Sequence, residues 1–391
     1  MTKKILFAND GPLFKDNDGN YYGENLDDSL RKRYLYLGSK VTFLIRVRAI
    51  DSGMDASRMS KLSMENFEVI EVPDAKSIQK FFKNYLKSKK VINEAVKNHD
   101  ILVSRMPSLI GKIAFYQAKK DKIPTLVECV GCTFDSYWNF DWRGKLIAHF
   151  KKYQQKRALN LATHVVYVTK LFLQDRYPTT GKSINCSNVE LNPVDEISLK
   201  NRINKINNQI EHEPLVLGTV AGLVPYKGQD DVIRAIGLLH RNGIDFKYRI
   251  AGNGNPDYLN SIIKTEQVED LVTIHGHLNH KDIYKFYEEI DLYIQPSKQE
   301  GLPRALIEAM SMAAPALGAK TAGIPELIDE KFIFHPGNYK NIAKLLEDID
   351  KNVMKNAAEQ NFITSKDYQK ETLFKKRLSF YDQFKEDFNL D

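Results

Sequence analysis

The sequence is poor in the features that staple chains together or hold them in membranes. It has three cysteines, Cys129, Cys132 and Cys186, an odd number that cannot all pair, so reduced thiols are expected rather than a disulfide framework. No stretch approaches the ~20 apolar residues of a membrane-spanning helix. The first ten residues offer only Ile5 to Ala8 as an apolar run, too short for the core of a secretion signal, and a cytoplasmic protein is expected. Dinucleotide chemistry also lacks its signature. Gly252-Asn-Gly254 begins a Gly-x-Gly-x-x-Gly pattern, but Asp257 stands at the third glycine position, which disfavours a dehydrogenase.

What is present is an ordinary globular composition, 42% hydrophobic and 27% charged, spread over 391 residues. Single cores stop growing near ~250–300 residues, so two domains are expected. Short β-branched runs alternate with helical stretches, first as Lys4–Ala8, Val41–Ile45, Asp100–Ser104, Thr125–Glu128 and Thr163–Thr169. A second series follows as Leu215–Ala221, Phe246–Ala251, Leu271–His275, Asp291–Gln295 and Pro315–Gly318. Such alternation builds parallel sheets with helices on both faces. The expected architecture is α/β, two tandem doubly wound, Rossmann-like domains facing across a cleft. The first is expected over residues 1–197, a polar linker over 198–213 ending before Pro214, and the second over 214–365. The tail, about 366–391, places Phe374, Leu378, Tyr381, Phe384 and Phe388 at helical spacing and is expected to pack back on the first domain.

The net charge is +7, with two local clusters of lysine and arginine in the first half. Lys80, Lys83, Lys87, Lys89 and Lys90 alternate with Phe81, Phe82, Tyr85 and Leu86. Arg143, Lys145, Lys151, Lys152, Lys156 and Arg157 share a stretch with Leu146, Ile147 and Phe150. A solvated basic face and a peripheral contact with an anionic membrane both fit; no nucleic-acid motif accompanies the charge.

Ligands of open α/β sheets lie outside the carboxyl ends of the strands. After the strand ending near Pro296-Ser297 comes Lys298-Gln-Glu-Gly-Leu-Pro-Arg-Ala-Leu-Ile-Glu-Ala-Met310, a loop and a helix with Pro303 expected at its first position. The helix start is a site for a diphosphate, and Gly301 allows close approach. Glu300 and Glu308 are eight residues apart, about two helical turns. As carboxylates they can accept hydrogen bonds from two parts of one sugar-bearing ligand; a surface pair between Arg304 and Glu308 is the plainer alternative.

The glutamate pair, set in Pro-Ser-x-x-Glu-Gly and followed by Ala322-Gly-Ile-Pro-Glu-Leu-Ile328, resembles the nucleotide-sugar site of family 4 glycosyltransferases of the GT-B fold. Gly218-Thr-Val-Ala-Gly-Leu-Val-Pro-Tyr-Lys-Gly-Gln229 is similar to the glycine-rich turn of the same family, with Gly222 where arginine is usual. The resemblance implies Glu300 at the donor sugar, Glu308 at the ribose and Lys227 at the diphosphate. Gly254, His277, Gly301, Leu302 and Arg304 complete the implied donor side. It further implies metal-independent transfer without a cofactor, with anomeric retention, from a UDP-sugar to a saccharide or lipid-linked saccharide. The Asp16-Asn-Asp18 run is accordingly read as a turn rather than a metal site.

On the acceptor side, Glu128-Cys-Val-Gly-Cys-Thr-Phe-Asp-Ser-Tyr-Trp-Asn139 is similar to a region of bacterial polysaccharide-assembly members. Glu128 and Asp135 are candidate catalytic carboxylates, with Trp138 as a sugar platform. Arg105, and Gly11 in the long loop Asn9–Gly23, are further candidates. Cys129-x-x-Cys132 is read as a buried turn rather than a zinc or redox pair. A sugar-nucleotide epimerase of the same shape, and a non-catalytic partner subunit missing the arginine at 222, are the alternatives.

Overall fold

The protein is described by a computed structural model over residues 3–24, 26, 28–50, 59–73, 78–210 and 213–390, without the side chains of 78–83 and 280. Lys80, Phe81, Phe82 and Lys83 of the first basic cluster therefore lie outside the described side chains. Among the described residues, two sheets account for the strands.

The first sheet holds β1 (Lys4–Lys15), β2 (Tyr21–Gly23), β3 (Lys40–Ala49), β4 (Ser60–Lys61), β5 (Phe67–Glu71), β6 (Ile101–Met106), β7 (Thr125–Cys129), β8 (His164–Tyr167) and β9 (Lys182–Asn185). Its parallel part runs β5-β3-β1-β6-β7-β8-β9. The chain starts at β1, winds out through β3 and β5, then returns to the other side of β1 as β6. That reversal between β1 and β6 is a switch point, where crevices open in doubly wound sheets. The loop expected over Asn9–Gly23 is instead mostly strand: β1 continues past a register shift between Ala8 and Pro12 and turns into antiparallel β2. Asp16 builds the turn, accepting from the backbone and side-chain nitrogens of Asn20 (2.7 and 2.9 Å) and from the Tyr22 hydroxyl (3.0 Å).

The second sheet is fully parallel, in the order β12 (Val272–Gly276), β11 (Phe246–Ala251), β10 (Leu215–Val220), β13 (Leu292–Gln295), β14 (Ala316–Ala319), β15 (Ile333–Phe334). Its switch point falls between β10 and β13. Both faces of each sheet are closed by helices over aliphatic side chains, which is why the strands read as near-continuous hydrophobic runs.

The polar stretch expected as a linker is largely a helix, Glu196–Asn207, capped by Asp195. Ile206 on it joins a small core with Met354, Ala358 and Phe362. Arg202 is buried and donates to the carbonyls of Tyr287, Ile290 and Met312, and burial lowers its pKa to about 10. Three carbonyl acceptors for one buried guanidinium fix this helix to the second unit, so its polar composition reflects a half-exposed helix, not a tether. The chain passes between the units at Leu191 and again near Gln369, where the two crossings pair with each other (Leu191 N to Tyr368 O, 2.9 Å; Lys370 N to Leu191 O, 2.9 Å). The final helix, Lys370–Phe388, then lies on the first sheet, with Leu373, Phe380, Tyr381 and Phe384 in the same core as Ile5, Phe7 and Phe43.

Candidate functional site

The residues around the second switch point come from two loops. After β10 the chain makes a single 3-10 turn, Pro225–Lys227, ended by Gly228 at φ +74°. A Cβ at Gly228 would lie 2.2 Å from the Pro296 carbonyl oxygen, so both the left-handed backbone and the close approach demand glycine. Lys298 N donates to Tyr226 O (2.8 Å), which holds the loop after β13 against this turn. The outcome is that Lys227 Nζ meets Glu300 Oε1 at 2.5 Å. Gln295 Nε2 also donates to Glu300 Oε1 (3.2 Å) and to Ser297 Oγ (2.8 Å), while its own oxygen accepts from Tyr293 (2.8 Å). A polar ladder, Tyr293–Gln295–Glu300–Lys227, thus runs from the buried sheet to the part-buried loops at the switch point.

The helix following Glu300 spans Arg304–Ser311, with Pro303 at its N-cap and no side chain capping it. Pro303 therefore sits one position earlier than the sequence suggests. The first-turn N–H groups have no side-chain partner there, which leaves the helix start suited to an anion. Glu308, two turns on, accepts from Tyr287 OH at 3.1 Å, and Arg304 is exposed. Gly301 faces the first unit: a Cβ there would come within 3.0 Å of the Val130 carbonyl oxygen, so its small size serves the approach of the two halves. Leu302 packs against the second core. Gly254 backs onto Leu223, whose Cβ and carbonyl oxygen a Cβ would meet at 2.9 Å; a tight turn accounts for it. His277 is exposed beyond β12, two strands from β10, and no described contact joins it to the Lys227–Glu300 pair. At Gly222, a Cβ would meet only Asn253 O, at 3.6 Å.

The first unit changes the reading of its candidate carboxylates. Glu128 is 2% exposed and both its oxygens are committed, one to Tyr34 OH (2.8 Å), the other to Arg105 Nε and Nη2 (3.0 and 2.8 Å). Burial alone would raise its pKa, but Arg105 and Arg33 pull it below the usual value. This is an internal ion pair with no face toward the cleft. Glu128, expected as a catalytic carboxylate of the cleft, is instead an internal anion, and Arg105, expected to reach the cleft, is its partner, stacked over the Phe7 ring at 4.9 Å. Asp135 is held by Arg176 Nη1 at 2.7 Å. Trp138 stacks on Phe134 (5.2 Å, 22°) and remains 39% exposed. Gly11 lies in the register shift of β1. Cys129 is a buried strand residue whose thiol burial pushes up to about 12, and Cys132 caps the helix Thr133–Trp138; neither is poised to react.

Contacts join the two halves beside the candidate site. Asn139 Nδ2 donates to Lys298 O (3.2 Å) and Gln299 Nε2 to Ser136 Oγ (3.4 Å). Glu326 accepts from the backbone N–H groups of Lys170 (2.5 Å), Leu171 (3.1 Å) and Phe172 (2.5 Å). Glu326 stood in the motif Ala322–Ile328 without an assigned role. Its acidic side chain after Ile-Pro was the available signal, but its partner is 154 residues away in sequence.

Residues 200–364 match the family described as glycosyl transferases group 1. Protein CapJ of Staphylococcus aureus is 29% identical over 367 residues, 93% of this chain and 90% of that protein. The amylovoran biosynthesis glycosyltransferase AmsK of Erwinia amylovora is 34% identical over 125 residues, 30% of this chain and 31% of that one. Among solved structures, sucrose-phosphate synthase from Thermosynechococcus elongatus superposes with a TM-score of 0.67 at 13% identity, covering 97% of this chain and 98% of that one. Anabaena Alr3699/HepE, solved with UDP, gives 0.62 at 16% identity and 99% of both chains. Residues 200–364 are thus similar to a glycosyl transferases group 1 domain, and the chain as a whole shares the fold of these solved structures, two doubly wound α/β units of the GT-B type.

Proposed function

We propose that the protein transfers a hexose-type sugar from a UDP-sugar to a saccharide or lipid-linked saccharide, with retention at the anomeric carbon, in the synthesis of a cell-surface polysaccharide. The observation that carries the reading is the meeting of Lys227 and Glu300 at the switch point between β10 and β13. A departing diphosphate needs positive charge, which Lys227 and the uncapped helix start at Arg304 supply. Glu300 beside it accepts from sugar hydroxyls, and Glu308, further along the same helix, accepts from the ribose. In the step itself the bond from C1 to the diphosphate oxygen breaks with its electron pair. The acceptor oxygen bonds to C1 on the same face, and its proton goes to the released diphosphate. No metal or cofactor takes part in this reading.

Related proteins support the choice of substrate. HepE was solved with UDP and with UDP-glucose, and the names of AmsK and of the putative colanic acid biosynthesis transferase WcaL, 33% identical over 123 residues, 30% of each chain, in Escherichia coli, concern exopolysaccharides.

The helix Trp142–Asn160 suggests where the acceptor is met. Trp142, Leu146, Phe150 and Tyr153 recur every three to four residues and so share a face; all are exposed, as are Phe140 and Ile147. Arg143, Lys145, Lys156 and Arg157 are exposed around them. Apolar rings framed by cations suit the headgroup zone of an anionic bilayer, which supports a peripheral position at the inner face of the membrane. Among the described residues no helix is long and apolar enough to cross one.

The test is thermal unfolding with UDP, GDP and ADP, repeated on Glu308→Ala, followed by incubation of the UDP-sugar with and without acceptor. A shift with UDP that is lost in the variant supports the donor site. No shift with any nucleotide overturns it, and sugar conversion without acceptor would point to an epimerase.

A further inference from the structure

A second crevice lies at the switch point of the first sheet, between β1 and β6. It encloses about 250 Å³, well above the ~30 Å³ share of one water. Its walls are Asp10 from β1, Pro107 and Ser108 after β6, Ser136 and Tyr137 of the helix Thr133–Trp138, and the inner face of the helix Trp142–Asn160.

Two lysines face this space from neighbouring helices, Lys112 and Lys151. Among the described residues neither is paired with a carboxylate. Lys112 Nζ donates to the neutral Gln154 Oε1 (2.9 Å), and Lys151 lies over the Tyr137 ring at 5.4 Å. Asp10, the acidic wall residue, is occupied elsewhere: its two oxygens accept from the backbone N–H groups of Leu109 and Ile110 (2.8 and 3.0 Å), and Arg46 stands 3.4 Å from one of them. The crevice therefore keeps two cations that no carboxylate pairs directly, Lys112 feeling Asp10 only through its field. Burial and the neighbouring Lys151 lower the pKa of Lys112 against the opposing pull of Asp10.

Position adds to the argument. The helix Thr133–Trp138 lines the crevice through Ser136 and touches the Glu300 loop through the same serine. The helix Trp142–Asn160 contributes Lys151 to the crevice and its aromatic face to the surface. We propose that this crevice is a subsite for a phosphate group carried by the acceptor, held by Lys112 and Lys151 one helix away from the donor sugar. The inference rests on the transferase reading of the cleft, and it specifies that the acceptor is phosphorylated.

The experiment is calorimetric titration with saturating UDP present, so that the donor site is filled. The probes are inorganic diphosphate, glucose 1-phosphate and geranyl diphosphate. Lys112→Met and Lys151→Met are each expected to weaken binding roughly tenfold, the factor of one charge-assisted contact, and the double variant to abolish it; Lys112→Arg should retain it. Tighter binding of geranyl diphosphate than of the two soluble probes assigns the phosphate to a lipid carrier, and equal binding assigns it to a soluble acceptor. Absence of binding by every probe, or parental affinity in the double variant, overturns the subsite. An intact UDP-induced thermal shift in the double variant confirms its fold and separates failure of the subsite from failure of the donor reading.

Discussion

Glu326 of the second unit caps Phe172 of the first: its Oε1 accepts the Phe172 N–H at 2.5 Å, and the adjacent Leu171 and Lys170 N–H groups complete the cluster. One carboxylate thus serves the start of the helix Phe172–Arg176, which has no cap of its own, and ties the halves together beside the site. Replacing Glu326 by alanine leaves those donors without their anion. The expected cost is about 1–2 kcal/mol, read as a lower urea midpoint, together with a larger share of donor hydrolysed rather than transferred, because the cleft closes less firmly on the sugar. An unchanged ratio of hydrolysis to transfer would show that this contact does not govern closure.

The path from sequence to structure was clearest where side-chain pattern alone decides the fold. Val41–Ile45 is buried throughout and Leu215–Ala221 at its centre, Leu217–Thr219, so both sheets were legible as apolar runs. So was the loop-helix segment holding Glu300 and Glu308, because Pro303 and the apolar spacing after it mark a helix start. What was hidden depended on partners far along the chain. Glu128 is followed by Cys-Val-Gly-Cys in a segment that looks like a cleft loop, yet it ends up inside because Arg105 and Tyr34 arrive from β6 and a separate helix to neutralise it. The polar stretch after Ser198 hides a helix because its decisive contact, Arg202 with Tyr287 and Ile290 carbonyls, spans more than 80 residues. The extension of β1 was invisible because Gly11 and Pro12 read as breakers, whereas they sit at the register shift.

The Lys227–Glu300 contact makes a prediction about binding against turnover. Without ligand, Glu300 holds the lysine that a diphosphate needs. Glu300→Ala releases that lysine, so UDP affinity is expected to stay level or rise while turnover falls by about 100-fold or more. Lys227→Ala should weaken UDP by roughly tenfold. The check is UDP titration beside initial rates for both variants; a Glu300→Ala protein that loses UDP binding in step with activity would assign the glutamate to the nucleotide instead.

Gly222 offers a gain-of-affinity test. Its Cβ position meets only Asn253 O at 3.6 Å, an ordinary contact, and the residue has no left-handed backbone. Gly222→Arg should therefore fold normally and bring a cation toward the diphosphate, tightening UDP by about tenfold, or ~1.4 kcal/mol. Unaltered UDP affinity in a variant of parental stability would place the diphosphate away from this turn.

Two imidazoles contribute to acid stability. His164 is 3% exposed, edge-on to Phe384 (5.1 Å) and joined to Asp387 at 2.8 Å; His99 bridges the Ala95 carbonyl and the Thr42 hydroxyl. Burial lowers both pKa values below 6.5, and for His164 it outweighs the opposing pull of Asp387. Below that value the unfolded chain takes up protons that the folded chain refuses, so stability is full above about pH 6.5 and declines as the pH falls from there. Because His164 faces the Lys370–Phe388 helix, loosening should begin where that helix leaves the first sheet. Hydrogen exchange at about pH 5.5 is expected to rise first across residues 370–388, and His164→Phe should flatten the dependence of the urea midpoint between about pH 7 and pH 5.5. A slope identical to that of the parent would mean that His164 takes up its proton alike in the folded and unfolded chain and that the acid sensitivity arises elsewhere.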